Sequence, residues 1–193
     1  IGPDVRALMP QTTANATFLD ETTFVCVVND LRTWGPEWGH FRKLPERGVA
    51  QTGAVRFRSD WGAFAYNLRT GAPVPVAPDA DGFSKLTLTL AGGDAAIVLL
   101  SPRKPGAIRS VVRREGDDCV VTSELLDAGG VLLPLSIPCT VMLEGVPDYS
   151  GPALFRRGRL SYRIPWQEPF PAVTVTAPLA NLQSRISPLE VVR

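Results

Sequence analysis

The stretch Phe83-Ser-Lys-Leu-Thr-Leu-Thr-Leu-Ala-Gly-Gly-Asp-Ala-Ala-Ile-Val-Leu-Leu100 limits what this chain can become. Leu86, Leu88 and Leu90 alternate with Thr87 and Thr89, the two-residue period of a strand with one buried face. Gly92-Gly93-Asp94 permits a sharp reversal. The apolar run 95–100 is long enough for a strand in a sandwich core and short for a helix, and Ser101-Pro102 stops it. These residues predict a β-hairpin that lays its leucine face on a second sheet. Just upstream, Tyr66-Asn-Leu-Arg-Thr-Gly-Ala-Pro-Val-Pro-Val76 has the same order of strand, Thr-Gly turn and strand.

Composition points the same way. The 18 prolines and 17 glycines suit many short strands joined by turns and work against long helices. A length of 193 residues accommodates one large β domain or two small ones. The formal net charge is +1, so electrostatics implies neither a nucleic-acid nor an anionic-membrane partner. No apolar run approaches the ~20 residues of a membrane helix, so membrane insertion is not expected. The chain begins Ile1-Gly-Pro-Asp, with neither Met nor a visible secretory signal, which suggests a piece of something longer.

Strands are expected at 12–18 (an edge), 24–28, 49–58 and 63–68. Phe24-Val-Cys-Val-Val28 is the strongest of these, ended by Asn29-Asp30. In the third, Val55 and Phe57 point one way and Arg56 and Arg58 the other. Pro102-Arg-Lys-Pro-Gly106 is the best domain boundary, being polar and proline-rich after a completed core strand. Beyond it, strands are expected at 108–113, 119–126, 131–143, 153–155, 159–164, 172–177 and 190–192. Pro134 and Pro138 make the third of that series bent or an edge. Turn signals at this density suit an immunoglobulin-like sandwich. The expected fold is therefore all-β, with two antiparallel β-sandwich domains in tandem over 1–103 and 104–193.

The order Phe24-Val-Cys-Val-Val-Asn-Asp30, Val55-Arg-Phe-Arg58, Ala65-Tyr-Asn-Leu-Arg-Thr-Gly-Ala-Pro-Val-Pro-Val76 and the 86–100 stretch resembles the C-terminal β-sandwich behind the catalytic barrel of many bacterial glycoside hydrolases. Such domains carry a Tyr-Asp-Leu-x-Thr-Gly strand and turn, and Asn67 stands here where Asp is usual. The second half, with Val120-Val-Thr-Ser-Glu-Leu-Leu-Asp-Ala-Gly-Gly130 and Ile137-Pro-Cys-Thr-Val-Met-Leu143, resembles the immunoglobulin-like modules appended to such proteins. The resemblance implies a non-catalytic accessory region and supplies no catalytic residues. The βα alternation of a barrel is absent from this sequence.

Glycoside hydrolysis needs two carboxylates facing each other across the scissile bond. Glu37, Asp60, Asp94, Asp117, Asp118 and Glu124 are available, but Asp94 and Asp127 sit beside glycine in turns, where Asp is favoured by local hydrogen bonding. His40 is the only histidine, so neither a triad base nor a metal site can be assembled from spacing, and no cofactor is implied. The pairs Arg113-Arg114 and Arg156-Arg157 read as solvated strand faces or turns, with anion contact as the alternative. Cys26 reads as a small buried hydrophobe. Cys119 and Cys139 are equidistant from the turn Asp127-Ala-Gly-Gly130, and face each other if the flanking strands pair there. A cross-strand disulfide and two buried thiols are the alternatives.

The segment 31–48 breaks the strand rhythm and is rich in aromatic and basic residues. Trp34, Trp38 and Trp61, with His40 and Arg42, have the side chains a sugar site uses, flat apolar platforms rimmed by polar groups. The same residues could plug a sandwich end or dock on a catalytic domain. Trp166 is expected in the core of the second domain. Three functions follow as expectations. The leading one is an accessory region that packs against or spaces a catalytic domain of the same parent chain. The others are a carbohydrate-binding module that takes a polysaccharide, and a structural surface subunit. The sequence does not give the compartment, and an extracellular or cell-surface setting is the favoured expectation.

Overall fold

The computed structural model of the chain describes residues 4–33 and 47–187. They form antiparallel β-structure interrupted by two 3-10 turns, Ser59–Trp61 and Pro147–Tyr149, and no α-helix occurs among them. The chain divides into two compact units. One comprises Ile1–Thr17, Thr23–Arg69 and Pro73–Pro102, and the other Phe18–Thr22, Thr70–Ala72 and Arg103–Arg193.

The strands of the first part are β1 (Val5–Ala7), β2 (Thr12–Leu19), β3 (Thr22–Asn29), β4 (Arg32–Thr33), β5 (Arg47–Gly48) and β6 (Gln51–Arg58). They continue with β7 (Phe64–Asn67), β8 (Pro73–Val74), β9 (Val76–Pro78), β10 (Phe83–Leu90) and β11 (Ala95–Ser101). One sheet has the order β1-β6-β10-β9 and another β2-β3-β11-β7-β8, while β4 and β5 form a two-stranded ribbon. Alternation sets the core. Val55, Phe57, Leu86, Leu88 and Leu90 from the first sheet meet Val25, Val27, Ala96, Val98 and Leu100 from the second in one buried cluster. Each large aliphatic or aromatic side chain so buried contributes about 1.5–3 kcal/mol.

The stretch 83–100 is not the hairpin its sequence predicts. β10 pairs with β6 and β9, whereas β11 pairs with β3 and β7, so the Gly92-Gly93-Asp94 turn carries the chain from one sheet to the other. The physical reason is mutual cover. A hairpin would place both apolar faces on one side of one sheet, whereas a crossover lets the leucines of β10 cover Val98 and Leu100 of β11. The strand β1, unmarked in the sequence, pairs Val5 with Phe57 and Ala7 with Val55.

The second part has β12 (Pro105–Glu115), β13 (Asp118–Asp127), β14 (Ile137–Leu143), β15 (Gly151–Phe155), β16 (Arg159–Pro165), β17 (Val173–Thr176) and β18 (Gln183–Ile186). Its sheets are β12-β13-β16 and β15-β14-β17-β18. Cys119, Val121, Ser123 and Leu125 on β13, and Ile137, Cys139, Val141 and Leu143 on β14, are the alternate buried positions. β14 starts later than the sequence suggests and is an inner strand. Pro138 is tolerated there because β17 pairs only from Thr140 onward, leaving Pro138 with β15 alone beside it. The strand expected at 190–192 lies outside the described residues.

Candidate functional site

The residues picked out by sequence for a sugar or docking site fall into two groups. Trp34, Trp38, His40 and Arg42 lie outside the described residues. Trp61 is described: it ends the 3-10 turn Ser59–Trp61, is half-buried, and packs against the core of the first unit.

The ribbon β4–β5 pairs Arg32 with Gly48 and Thr33 with Arg47. What fixes it is Asn29, a fully buried side chain at the end of β3. Its Nδ2 donates to the carbonyls of Val49 (2.8 Å) and Ala91 (2.9 Å), and its Oδ1 accepts from the Leu31 N–H at 3.1 Å. Two carbonyl acceptors on one side of the amide decide its orientation, since only the NH2 can donate. Gln51 extends the network, its Nε2 lying 2.5 Å from Asn29 Oδ1, 3.0 Å from the Pro10 carbonyl and 3.1 Å from Thr12 Oγ1. Nearby, Gly48 and Gly92 meet backbone to backbone, and a Cβ on either would overlap the other's main chain. In sequence Asn29 reads only as a strand terminator. Its partners are 2 to 62 residues away along the chain, and no local pattern encodes the pairing.

Four of the carboxylates offered for acid–base work, Asp60, Asp94, Asp118 and Glu124, are engaged with cations. Arg58 donates to both oxygens of Asp60, at 3.0 and 2.5 Å, and holds that carboxyl below its usual range. Asp94 is held down by the Ala95 N–H and then by Arg69, whose guanidinium is 3.2 Å away. Glu124 is held down by a hydrogen bond from Arg109. Asp118 pairs with Arg163 at 3.0 Å, and Asp117 is exposed, its carbonyl accepting from Trp166. Glu37 lies outside the described residues. Among the described residues no group of three or more His, Cys, Asp or Glu side chains is placed to hold a metal ion.

Asp127 behaves as its place at the head of the Asp127-Ala-Gly-Gly130 turn suggests. Its Oδ1 accepts from the N–H groups of Gly129 and Val131, both at 2.9 Å, and Arg103 donates to its Oδ2.

All three cysteines are free. The strand pairing that would bring Cys119 opposite Cys139 does not form, because β13 and β14 belong to different sheets and only the single bridge Leu126–Leu132 follows the turn. Cys119 stands across from Arg114 and Ile164, and Cys139 across from Ala153. Burial pushes the Cys119 thiol up and the Cys139 thiol up to about 11, so both act as small apolar side chains at neutral pH. Trp166 is not in the core but half-buried, stacked on buried Phe170 at 5.3 Å with the Arg114 guanidinium 4.5 Å from its ring centre.

The members of each arginine pair have different surroundings. Arg114 lies over Trp166 while Arg113 is exposed, and Arg157 turns toward Asp20 (4.0 Å) while Arg156 faces an open hollow on the β12-β13-β16 sheet. Of the residues around that hollow, sequence reading singled out only Glu124 and Arg156, because the lining is drawn from four strands, β12, β13, β15 and β16.

Comparison with protein-family models, with curated proteins and with solved structures finds no match to this chain.

Proposed function

We propose that this chain is a non-catalytic accessory β-region of a larger carbohydrate-active protein, with two immunoglobulin-like sandwiches that pack against or space its catalytic domain. The resemblance of the 24–100 segment order to domains of that kind gives the class. One observation supports the non-catalytic part. The described carboxylates offered for acid–base work with a displaced pKa (Asp60, Asp94 and Glu124) are all displaced downward by hydrogen bonds and arginines. A glycosidase acid needs the opposite, a carboxyl raised enough to carry a proton at working pH. Arginine pairing of this kind suits a rigid surface better than a reaction centre.

Sequencing the gene across both ends of the chain tests the reading. A reading frame that continues into a βα-barrel, or another carbohydrate-active fold, is the expected result. A frame closed on both sides, or joined only to further β-modules of a coat or surface filament, overturns it in favour of a structural subunit.

A further inference from the structure

The outward face of the β12-β13-β16 sheet holds an open hollow of about 700 Å³, within the range of small-molecule sites. Register builds it. Arg109, Glu124 and Arg159 form one cross-strand row, and Val111, Thr122 and Ser161 form the next. Arg156 is bridged to Arg159 at the β15–β16 turn and so projects to the same side. The lining therefore carries three guanidiniums and one carboxylate.

That carboxylate does not satisfy them. Glu124 accepts a hydrogen bond from Arg109, while the nearest nitrogen of Arg159 is 3.9 Å away, beyond hydrogen-bond distance. Arg156 is exposed and forms no ion pair with any described residue. Glu124 thus spaces two arginines, and the third is left open. Between them the floor presents the exposed hydroxyls of Thr122 and Ser161 beside the half-buried side chains of Val111 and Leu154.

We propose that this hollow binds an acidic sugar unit of a polysaccharide, its carboxylate on Arg156 and Arg159 and its hydroxyls on Thr122 and Ser161. The choice of a saccharide over another anion rests on the carbohydrate reading above. The geometry supplies the rest. Planar guanidiniums with open N–H pairs match a carboxylate or sulfate, and the hydroxyl floor matches a polyhydroxy ring. Because the site is open to water, binding is weak and falls with added salt.

The test is titration of the full chain with trigalacturonate, followed by calorimetry or amide chemical shifts, alongside its fully methyl-esterified counterpart, inorganic sulfate and a single-stranded oligonucleotide. The expected result is saturable binding of trigalacturonate alone, weakened at least about tenfold in Arg156→Gln and in Arg159→Gln, the loss expected for one charge-assisted contact. Arg69→Gln, in the first unit, should bind as the parent does. Ser161→Asp adds a negative charge to the floor without removing an arginine and should also abolish binding, which keeps the proposal testable if an arginine variant is poorly folded.

No binding, equal binding of the ester, or binding unchanged in Arg156→Gln and Ser161→Asp overturns the proposal. Equal binding of sulfate or of the oligonucleotide overturns the saccharide assignment. None of these outcomes depends on the flanking gene sequence, so either reading can fail while the other stands.

Discussion

At the scale of the residue, two buried polar side chains organise more of the chain than their sequence context suggests. Asn29 is 0% exposed and bonds three separated segments. Asn29→Ala would strand the Val49 and Ala91 carbonyls, and a stability loss of about 1–3 kcal/mol is expected as a lower urea midpoint with an unchanged slope. Asp127 carries the second device. The N–H of Val131, then that of Gly129, and the Arg103 charge hold its carboxyl below the usual range. A lowered folded-state value means that its contribution is fully present above the unfolded pKa of about 3.9 and is lost as pH falls through the folded value. Asp127→Asn should therefore be less stable than the parent at neutral pH, with the gap closing below pH ~4 in thermal melts. Asp127 was legible in sequence because an Asp at the head of an Ala-Gly-Gly turn acts on its own turn. Asn29 was not, because the same residue type that ends a strand can also be buried by partners distant in the chain.

At the scale of the element, alternation told which face of a strand is buried but not which strand lies beside it. Val55 and Phe57 fall on the core face as their period requires, and both are 0% exposed. The same reasoning misassigned β10 and β11 to one hairpin, since a reversal signal is common to a hairpin turn and to a crossover between sheets. For Cys119 and Cys139 it left a disulfide and two buried thiols as alternatives, and the thiols are what the structure holds, since spacing from a turn brings two residues together only if the chain returns along the same sheet. The short strands β1 and β18 escaped notice because three or four residues carry too little period. The crossover has its own test. Gly92 lies against Gly48 main chain to main chain. Gly92→Ala must push the β10–β11 turn away from the ribbon, and faster amide exchange at Leu31 and Val49 is expected, with a lower melting temperature. Unchanged exchange there would mean that the turn is free to move.

At the scale of the whole molecule, the chain is all-β and antiparallel, and sequence conveyed that through proline and glycine frequency and through repeated two-residue periods. Function was less legible. The aromatic and basic segment was conspicuous by composition, yet Trp34, Trp38, His40 and Arg42 lie outside the described residues. The hollow on the β12-β13-β16 sheet is assembled across strands and leaves almost no local trace. The proposed role, an accessory region with no reaction centre of its own, turns on carboxylates tied to arginines. Reducing-sugar release from a panel of neutral and acidic polysaccharides, measured for the purified chain beside Asp60→Asn and Glu124→Gln, tests it most directly. No release above the buffer rate is expected from any of the three proteins; release by the parent that disappears in either variant would contradict it.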